Sequence, residues 1–296
     1  MRRLLLAFAV ILTFTDIALA QNRIKVVATF SILGDVATQI GGDRIELTTL
    51  VGPDADAHTY QTKPTDARAV AQAQAMVSNG LGFEGWADRL AAAAPLKGRH
   101  IVASAGIKPL ENAKGGHGHG HADPHCWQDV ACLRHYAGVV AAGLAVADAA
   151  NADFYRTRAA AYDARLAALD GWIRAEVAKV PADRRKVISG HDAFRYFARA
   201  YGVQFLAPRG YNTENEPSAR DMAALIRLVR EQKIKALFIE NMTNPALVEQ
   251  IARDSGGVVG APLYSDALSK PGGPAATYEA MMRHNVTALV AGMLKN

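Results

Sequence analysis

The sequence has 296 residues, 50% of them hydrophobic and 21% charged, with 33 Lys and Arg against 28 Asp and Glu for a formal net charge of +5. That basic excess is modest and scattered, whereas a nucleic-acid binder usually gathers it on one face, so nucleic-acid binding is set aside. The length suggests about two domains.

The chain opens with Met1-Arg2-Arg3, an apolar stretch over residues 4–14, and Ala18-Leu19-Ala20. A basic start, a short apolar core and a small-x-small site read as a secretory signal peptide cleaved after Ala20. The apolar run is short of the roughly 20 residues a membrane-spanning helix needs, and Asp16 follows it closely. Loss of the leader removes Arg2, Arg3 and Asp16, lowering the formal charge to +4. Beyond the leader, no apolar segment is expected to cross a bilayer. No cysteine precedes Cys126, so the expected mature N-terminus near Gln21 lacks the residue that would carry a lipid, and the expectation is an untethered protein in a Gram-negative periplasm.

From Lys25 onward, short β-branched or apolar runs alternate with longer amphipathic ones: strand 25–30, helix 32–40, strand 45–51, helix 66–75, then strands 76–78 and 100–103. Such alternation argues for a mostly parallel sheet flanked by helices. Residues 111–123 interrupt it with Lys114-Gly115-Gly116-His117-Gly118-His119-Gly120-His121, low in complexity and without an apolar residue to bury, which reads as a mobile loop. Residues 152–180 contain no glycine or proline except Gly171, and Phe154, Ala161, Leu166, Leu169, Trp172, Ile173 and Val177 recur near helical spacing. One helix of about 40 Å follows, long enough to join two lobes rigidly. The alternation then resumes with strands 186–189, 203–206, 236–239 and 258–263 and a helix over 219–232. The expected α/β organisation is a leader (1–20), a first lobe (21–150, with the His-rich loop at 114–123), a connecting helix (151–180) and a similar second lobe (181–296). Ligands of open α/β sheets bind outside the carboxyl ends of the strands, which places a site in the cleft between the lobes.

Three residues able to bind metal follow expected strands: His58, His191 and Asp266; a fourth, His125, stands in the loop segment Asp123-Pro124-His125-Cys126-Trp127. Singly each is a weak signal, since an isolated histidine is more often hydrogen-bonded or on the surface. Two fall in each lobe, the arrangement expected of an ion held across the cleft.

Four segments carry more than this spacing: Asp54-Ala55-Asp56-Ala57-His58-Thr59-Tyr60-Gln61 with Lys63-Pro64-Thr65-Asp66, then Asp123-Pro124-His125-Cys126-Trp127, Gly190-His191-Asp192-Ala193-Phe194 and Tyr264-Ser265-Asp266-Ala267-Leu268. In order and spacing they resemble the ligand motifs of the zinc and manganese substrate-binding proteins of bacterial ABC importers, over essentially the whole chain after the leader. The resemblance implies that His58, His125, His191 and Asp266 ligate the metal, and that the partners are an inner-membrane permease with its cytoplasmic ATPase and a periplasmic zinc metallochaperone, the chain itself acting as a monomer. Many members have a Leu-Asp-Pro continuation where this sequence has Gln128-Asp129-Val130, which puts the start of the next helix in question. Manganese binders of the family often have glutamate in the place of His191, although some manganese-linked members match all four ligands.

Ligand chemistry favours Zn²⁺ as cargo, because three imidazoles and one carboxylate form a borderline-soft set whereas Mn²⁺ favours more oxygen. Were Asp266 to bind through one oxygen, four ligands would complete a tetrahedron and leave no open position for zinc catalysis. A zinc hydrolase is the competing enzymatic reading, and neither His-Glu-x-x-His nor Gly-x-Ser-x-Gly occurs to support it. A binder of metal chelates or organic solutes would need a roomier pocket.

Several features have two readings. His117, His119 and His121 could collect zinc or form a solvated linker. Cys126 and Cys132 could pair in an oxidising compartment, or Cys126 could reach the metal; the Cα separation that decides is not legible in sequence. Glu240 and the segment Glu216-Pro217-Ser218 could orient ligands from the cleft wall or serve as caps, and are left out of the site. Trp127 and Phe194 could exclude water from the ion or simply pack the core. His100, His135 and His284 read as structural.

Overall fold

The computed structural model describes residues 23–111 and 122–296. The expected leader and His117, His119 and His121 lie outside the described residues. The first sheet contains β1 (Ile24–Phe30), β2 (Ile45–Val51), β3 (Ala75–Ser78) and β4 (Arg99–Val102) in the order β2-β1-β3-β4, with every pair parallel. The second contains β5 (Lys186–Ile188), β6 (Gln204–Leu206), β7 (Ala236–Leu237) and β8 (Val258–Val259) in the equivalent order β6-β5-β7-β8, again parallel. Helices α1 (Ser31–Gly41), α2 (Pro64–Gln72) and α3 (Ala87–Ala93) connect the first set, and α6 (Arg195–Tyr201), α7 (Ala219–Glu231) and α8 (Ala246–Ser255) the second. Two α/β lobes result. In each, the chain leaves the first strand to one side and returns on the other, so each has a switch point at the carboxyl ends of its strands.

Residues 26–30 of β1 are all buried, as expected of a parallel strand covered on both faces. β8 ends at Val259, short of the expected run to 263: Gly260 still donates to the Leu237 carbonyl at 2.8 Å, but Pro262 has no amide hydrogen to continue the ladder. The chain returns to the sheet only as an isolated bridge between Glu240 and Leu263. That bridge brings the residues just beyond β7 beside the approach to Asp266.

Helix α4 (Val130–Ala147) is the one described helix long and apolar enough to cross a membrane, contrary to the expectation that no such segment follows the leader. It is a core helix: Val130, Leu133, Tyr136, Ala137, Val140 and Leu144 are fully or almost fully buried against the first lobe and α5 (Ala152–Ala178). Its apolar character reflects burial on several sides.

The long connector is present as α5, but its buried stripe begins one residue later than periodicity suggested. Tyr155, Tyr162, Leu166, Leu169, Ile173 and Val177 face inward. Phe154 instead lies at the half-exposed edge beneath the guanidinium groups of Arg44 and Arg158. Tyr155 can occupy the interior because its hydroxyl donates to Asp148 at 2.7 Å, which satisfies the polar tip that burial would otherwise strand. With α9 (Tyr278–Met293), α5 joins one continuous hydrophobic core that extends from Val26 in the first lobe to Met293 in the second. A separate smaller core of Ile188, Met222, Val229, Leu237, Val248 and Ile251 lies beneath α7 and α8. The lobes are thus fused along one side and meet through polar contacts on the other.

Candidate metal centre

His58 lies in the loop between β2 and α2. Asp54 enters that loop with φ of 55°, a left-handed conformation that a short polar side chain tolerates better than most. The loop closes where the Tyr60 hydroxyl donates to Asp66 Oδ2 at 2.9 Å, the oxygen that also accepts the Lys63 amide at 2.7 Å. Burial, with Asp66 adding to it, pushes Tyr60 up to about 12, so it stays a donor. Trp86 Nε1 donates to the carbonyl of Ala57 at 2.8 Å, and the His58 ring meets the edge of Phe83 with centroids 4.6 Å apart.

His125 is held by Asp123, whose Oδ1 accepts from the His125 amide at 3.0 Å and lies 2.9 Å from its Nδ1. The following turn is tied to the second lobe: Trp127 Nε1 and Gln128 Nε2 both donate to the carbonyl of Ser265, at 2.8 and 2.7 Å. Asp129 then caps α4 by accepting from Ala131 N at 2.9 Å. The departure from Leu-Asp-Pro therefore leaves a sound helix start, since the capping residue is kept. Cys126 and Cys132 form a disulfide with Cα atoms 5.7 Å apart, so the thiol route to the metal is closed and the turn after His125 is stapled to the first turn of α4.

His191 follows β5. Glu240 Oε1 accepts from the amides of Gly190 and His191 at 2.7 and 2.9 Å, and Oε2 lies 2.6 Å from His191 Nδ1. A Cβ at position 190 would sit 3.0 Å from Glu240 Oε1, so any other residue there would crowd this carboxylate. Ser265 Oγ also donates to Glu240 Oε2, linking this carboxylate to the residue before Asp266. Left aside as equally able to be a cap, Glu240 is the group that orients His191. Its place at a strand end was legible; its reach to the histidine was not. Asp123 and Phe83 carried no such signal in sequence. Glu216 pairs with Arg209 and is 69% exposed on its side chain, which places it outside the cluster. Phe194 stacks on Phe205 at 4.7 Å and packs the core, whereas Trp127 lies 5.2 Å from the His125 ring and does both jobs.

The structure brings His58, His125, His191 and Asp266 together, one donor atom from each lying within 4.8 Å of the others. His58 Nε2 and His191 Nε2 approach Asp266 Oδ2 at 3.2 and 3.1 Å, and His125 Nε2 approaches Oδ1 at 3.7 Å. Donors about 2.0–2.1 Å from a tetrahedral ion are separated by about 3.4 Å, so the observed spacings suit a small cation. All five atoms are buried without an aligned hydrogen-bond partner, although such atoms inside proteins nearly always have one. The other sides of His125 and His191 are held by carboxylates, which leaves Nε2 turned toward the shared centre.

The electrostatics differ around the cluster. Burial holds His58 below the usual histidine range. Burial also opposes charge on His191, but Glu240 and Asp266 outweigh it and raise its pKa well above that range. Burial works against the Asp266 carboxylate too, yet the neighbouring His191 and His125 keep it well below its ordinary value. Among the described residues, the histidines outside the cluster make structural contacts: His100 meets Ser78 Oγ at 2.9 Å, His135 meets the Ala105 carbonyl at 2.7 Å, and His284 that of Pro262 at 2.8 Å.

Residues 26–292 match the profile of the family described as zinc-uptake complex component A, periplasmic. The chain is 32% identical over 271 residues to the manganese-binding lipoprotein MntA of Halalkalibacterium halodurans, covering 91% of this chain and 88% of that protein. It is 32% identical over 280 residues to the protein of the same name from Bacillus subtilis, covering 93% and 91%. The solved periplasmic zinc binding protein TroA from Treponema pallidum superposes with a TM-score of 0.86 at 29% identity, covering 92% of this chain and 99% of that one. Both MntA proteins are lipoproteins by name, which opposes the expectation of an untethered chain drawn from the lack of an early cysteine. The matched profile, the relatives and the shared two-lobe fold agree: the chain belongs to this family of substrate-binding components of metal ABC importers, which bind and hand on a metal and are not enzymes.

Proposed function

We propose that this chain is exported by its leader, captures one Zn²⁺ ion through His58 Nε2, His125 Nε2, His191 Nε2 and Asp266, and delivers it to an inner-membrane permease. The observation that carries the assignment is the set of five buried polar atoms without aligned partners that converge from both lobes. A cation satisfies all of them together. Three imidazoles favour zinc by softness, and the orienting carboxylates Asp123 and Glu240 keep each ring's Nε2 directed inward. On this reading the chain works as a monomer and can receive its ion from a periplasmic metallochaperone.

A manganese carrier is the second reading, and a specific feature favours it. Both oxygens of Asp266 face histidine nitrogens, so the carboxylate can add a second oxygen and raise the coordination number, which suits a harder ion. Manganese also appears in the names of the two MntA relatives. Competitive titration of metal-free protein with Zn²⁺ and Mn²⁺, counting ions per chain and repeated with His191→Ala, separates the two. One tightly held zinc, weaker manganese and loss in the variant are expected; tighter manganese reassigns the cargo, and no tight ion of either kind overturns the ligand assignment.

A further inference from the structure

The loop carrying His58 belongs to the first lobe but is also fastened to the second at three points away from the cluster. Asp54 N donates to the carbonyl of Leu268 at 2.9 Å, Asn241 Nδ2 donates to Asp54 Oδ1 at 2.9 Å, and Thr213 Oγ1 donates to Asp56 Oδ2 at 2.6 Å. Two of the three partners, Leu268 and Asn241, lie within two residues of groups that build the other half of the centre, and the third lies on the segment that bridges to His191. Leu268 is two residues beyond Asp266, Asn241 follows the Glu240 that holds His191, and Thr213 lies four residues beyond Arg209, which forms an isolated bridge with His191.

The contact with Thr213 differs from the other two. Asp56 uses Oδ2 for Thr213 and Oδ1 to accept from the amide of His58 at 2.8 Å. One planar carboxylate therefore joins the backbone of His58 to a hydroxyl of the opposite lobe, and the two cannot shift independently without breaking a charge-assisted hydrogen bond. His58 is also the member of the cluster with solvent exposure, 8% against 0% for His125, His191 and Asp266. His58 is therefore the least enclosed of the four candidate ligands.

We propose that Asp56 and Thr213 form an interlobe clasp that positions His58 and governs how long a captured ion is retained. Asp56 is a positioning residue, since it acts through the backbone of His58, and Thr213 is its keeper on the far side. The proposal rests on the reading of His58 as a ligand. It places the mobile step of metal release at this loop, because His125, His191 and Asp266 are fully buried and both histidines are held from behind by carboxylates.

The test is release of Zn²⁺ from the loaded full-length mature protein into excess chelator, followed by stopped flow, for the wild type, Thr213→Val and Thr213→Ser. Valine keeps the shape of threonine and removes the donor. The expected result is release roughly tenfold faster for Thr213→Val, with near-wild-type release for Thr213→Ser and an unchanged melting temperature for the metal-free Thr213→Val protein. Equal release rates for the wild type and Thr213→Val overturn the clasp, as does a serine variant that behaves like valine. A fall in the melting temperature equal to that of a general packing defect, unrelieved by serine, assigns Thr213 a structural role instead. Failure of the wild type to hold zinc at all is a different result and removes the ligand assignment beneath the clasp.

Discussion

The two halves of the centre share one device, a carboxylate behind a histidine, and differ in what surrounds it. The first lobe contributes His58 and His125 backed by aromatic rings, with Phe83 against His58 and Trp127 against His125. The second contributes His191 and Asp266 in a buried ion pair backed by Glu240. Each half backs one histidine with a carboxylate, Asp123 behind His125 and Glu240 behind His191; the first adds an aromatic wall, and the second adds the Asp266 carboxylate among the donors together with a proton on His191 that must leave before metal can bind. A site divided this way can attract a cation to the charged half and seal it with the apolar one.

The sharpest break of this division is Asp266→Ala. It removes the anionic donor and leaves three imidazoles facing one another, and zinc affinity should fall on the order of a thousandfold. His58→Ala removes a neutral donor from the apolar half and should cost less. Equal losses for the two variants in a chelator competition would contradict the asymmetry.

Glu240→Gln sharpens the comparison without touching a proposed ligand. The amide keeps the volume but withdraws the charge that orients His191, and a drop of about 10- to 100-fold in affinity is expected. His191 would also lose the part of its elevated pKa that Glu240 supplies, Asp266 keeping the rest, visible as a shift of its imidazole resonance to lower titration pH.

Protonation follows the same line. In the metal-free chain, Glu240 and Asp266 hold the His191 proton well above the usual range despite burial, while burial keeps His58 neutral. The raised value means this pair stabilises the metal-free fold fully below the ordinary histidine pKa and loses that contribution as pH rises through the raised one. Binding requires a neutral imidazole, so metal uptake near neutral pH should expel about one proton from His191 and none from His58. Calorimetry in buffers of different ionisation enthalpy measures this directly. Below the raised pKa, affinity should fall about tenfold per pH unit, and a flat profile would count against it.

The smallest expected effect on binding comes from the disulfide. Replacing Cys126 and Cys132 by serine opens a short loop and should lower stability by about 2 kcal/mol, with zinc affinity changed only a few-fold. Asp123 and the Ser265 carbonyl still hold the turn around His125. Denaturant unfolding and metal titration of the same variant check both parts.

Much of this was legible before the structure. The parallel two-lobe order followed from the alternation of runs; three of the metal-binding candidates stood after expected strands, and the set of four, with His125 in its loop, rested on the resemblance to the family's ligand motifs. What escaped depended on contacts remote in sequence. Glu240 and His191 are 49 residues apart, and no local pattern reveals that a strand-end carboxylate turns toward a histidine in the adjacent crossover. Helix α4 blurred its own period because Ala, Val, Leu and Gly fill nearly every position, and the stripe of α5 was misplaced where a buried tyrosine kept its hydroxyl satisfied. The cysteine pairing turned on a Cα separation that only folding supplies.

The most direct test is a crystal structure of the zinc-loaded mature protein with anomalous data collected on both sides of the zinc edge. The account predicts one zinc peak per chain, bound by Nε2 of His58, His125 and His191 and by Asp266, with Glu240 and Asp123 behind their histidines. A zinc peak elsewhere, or one in this cleft held by fewer than three of the four residues, would contradict it.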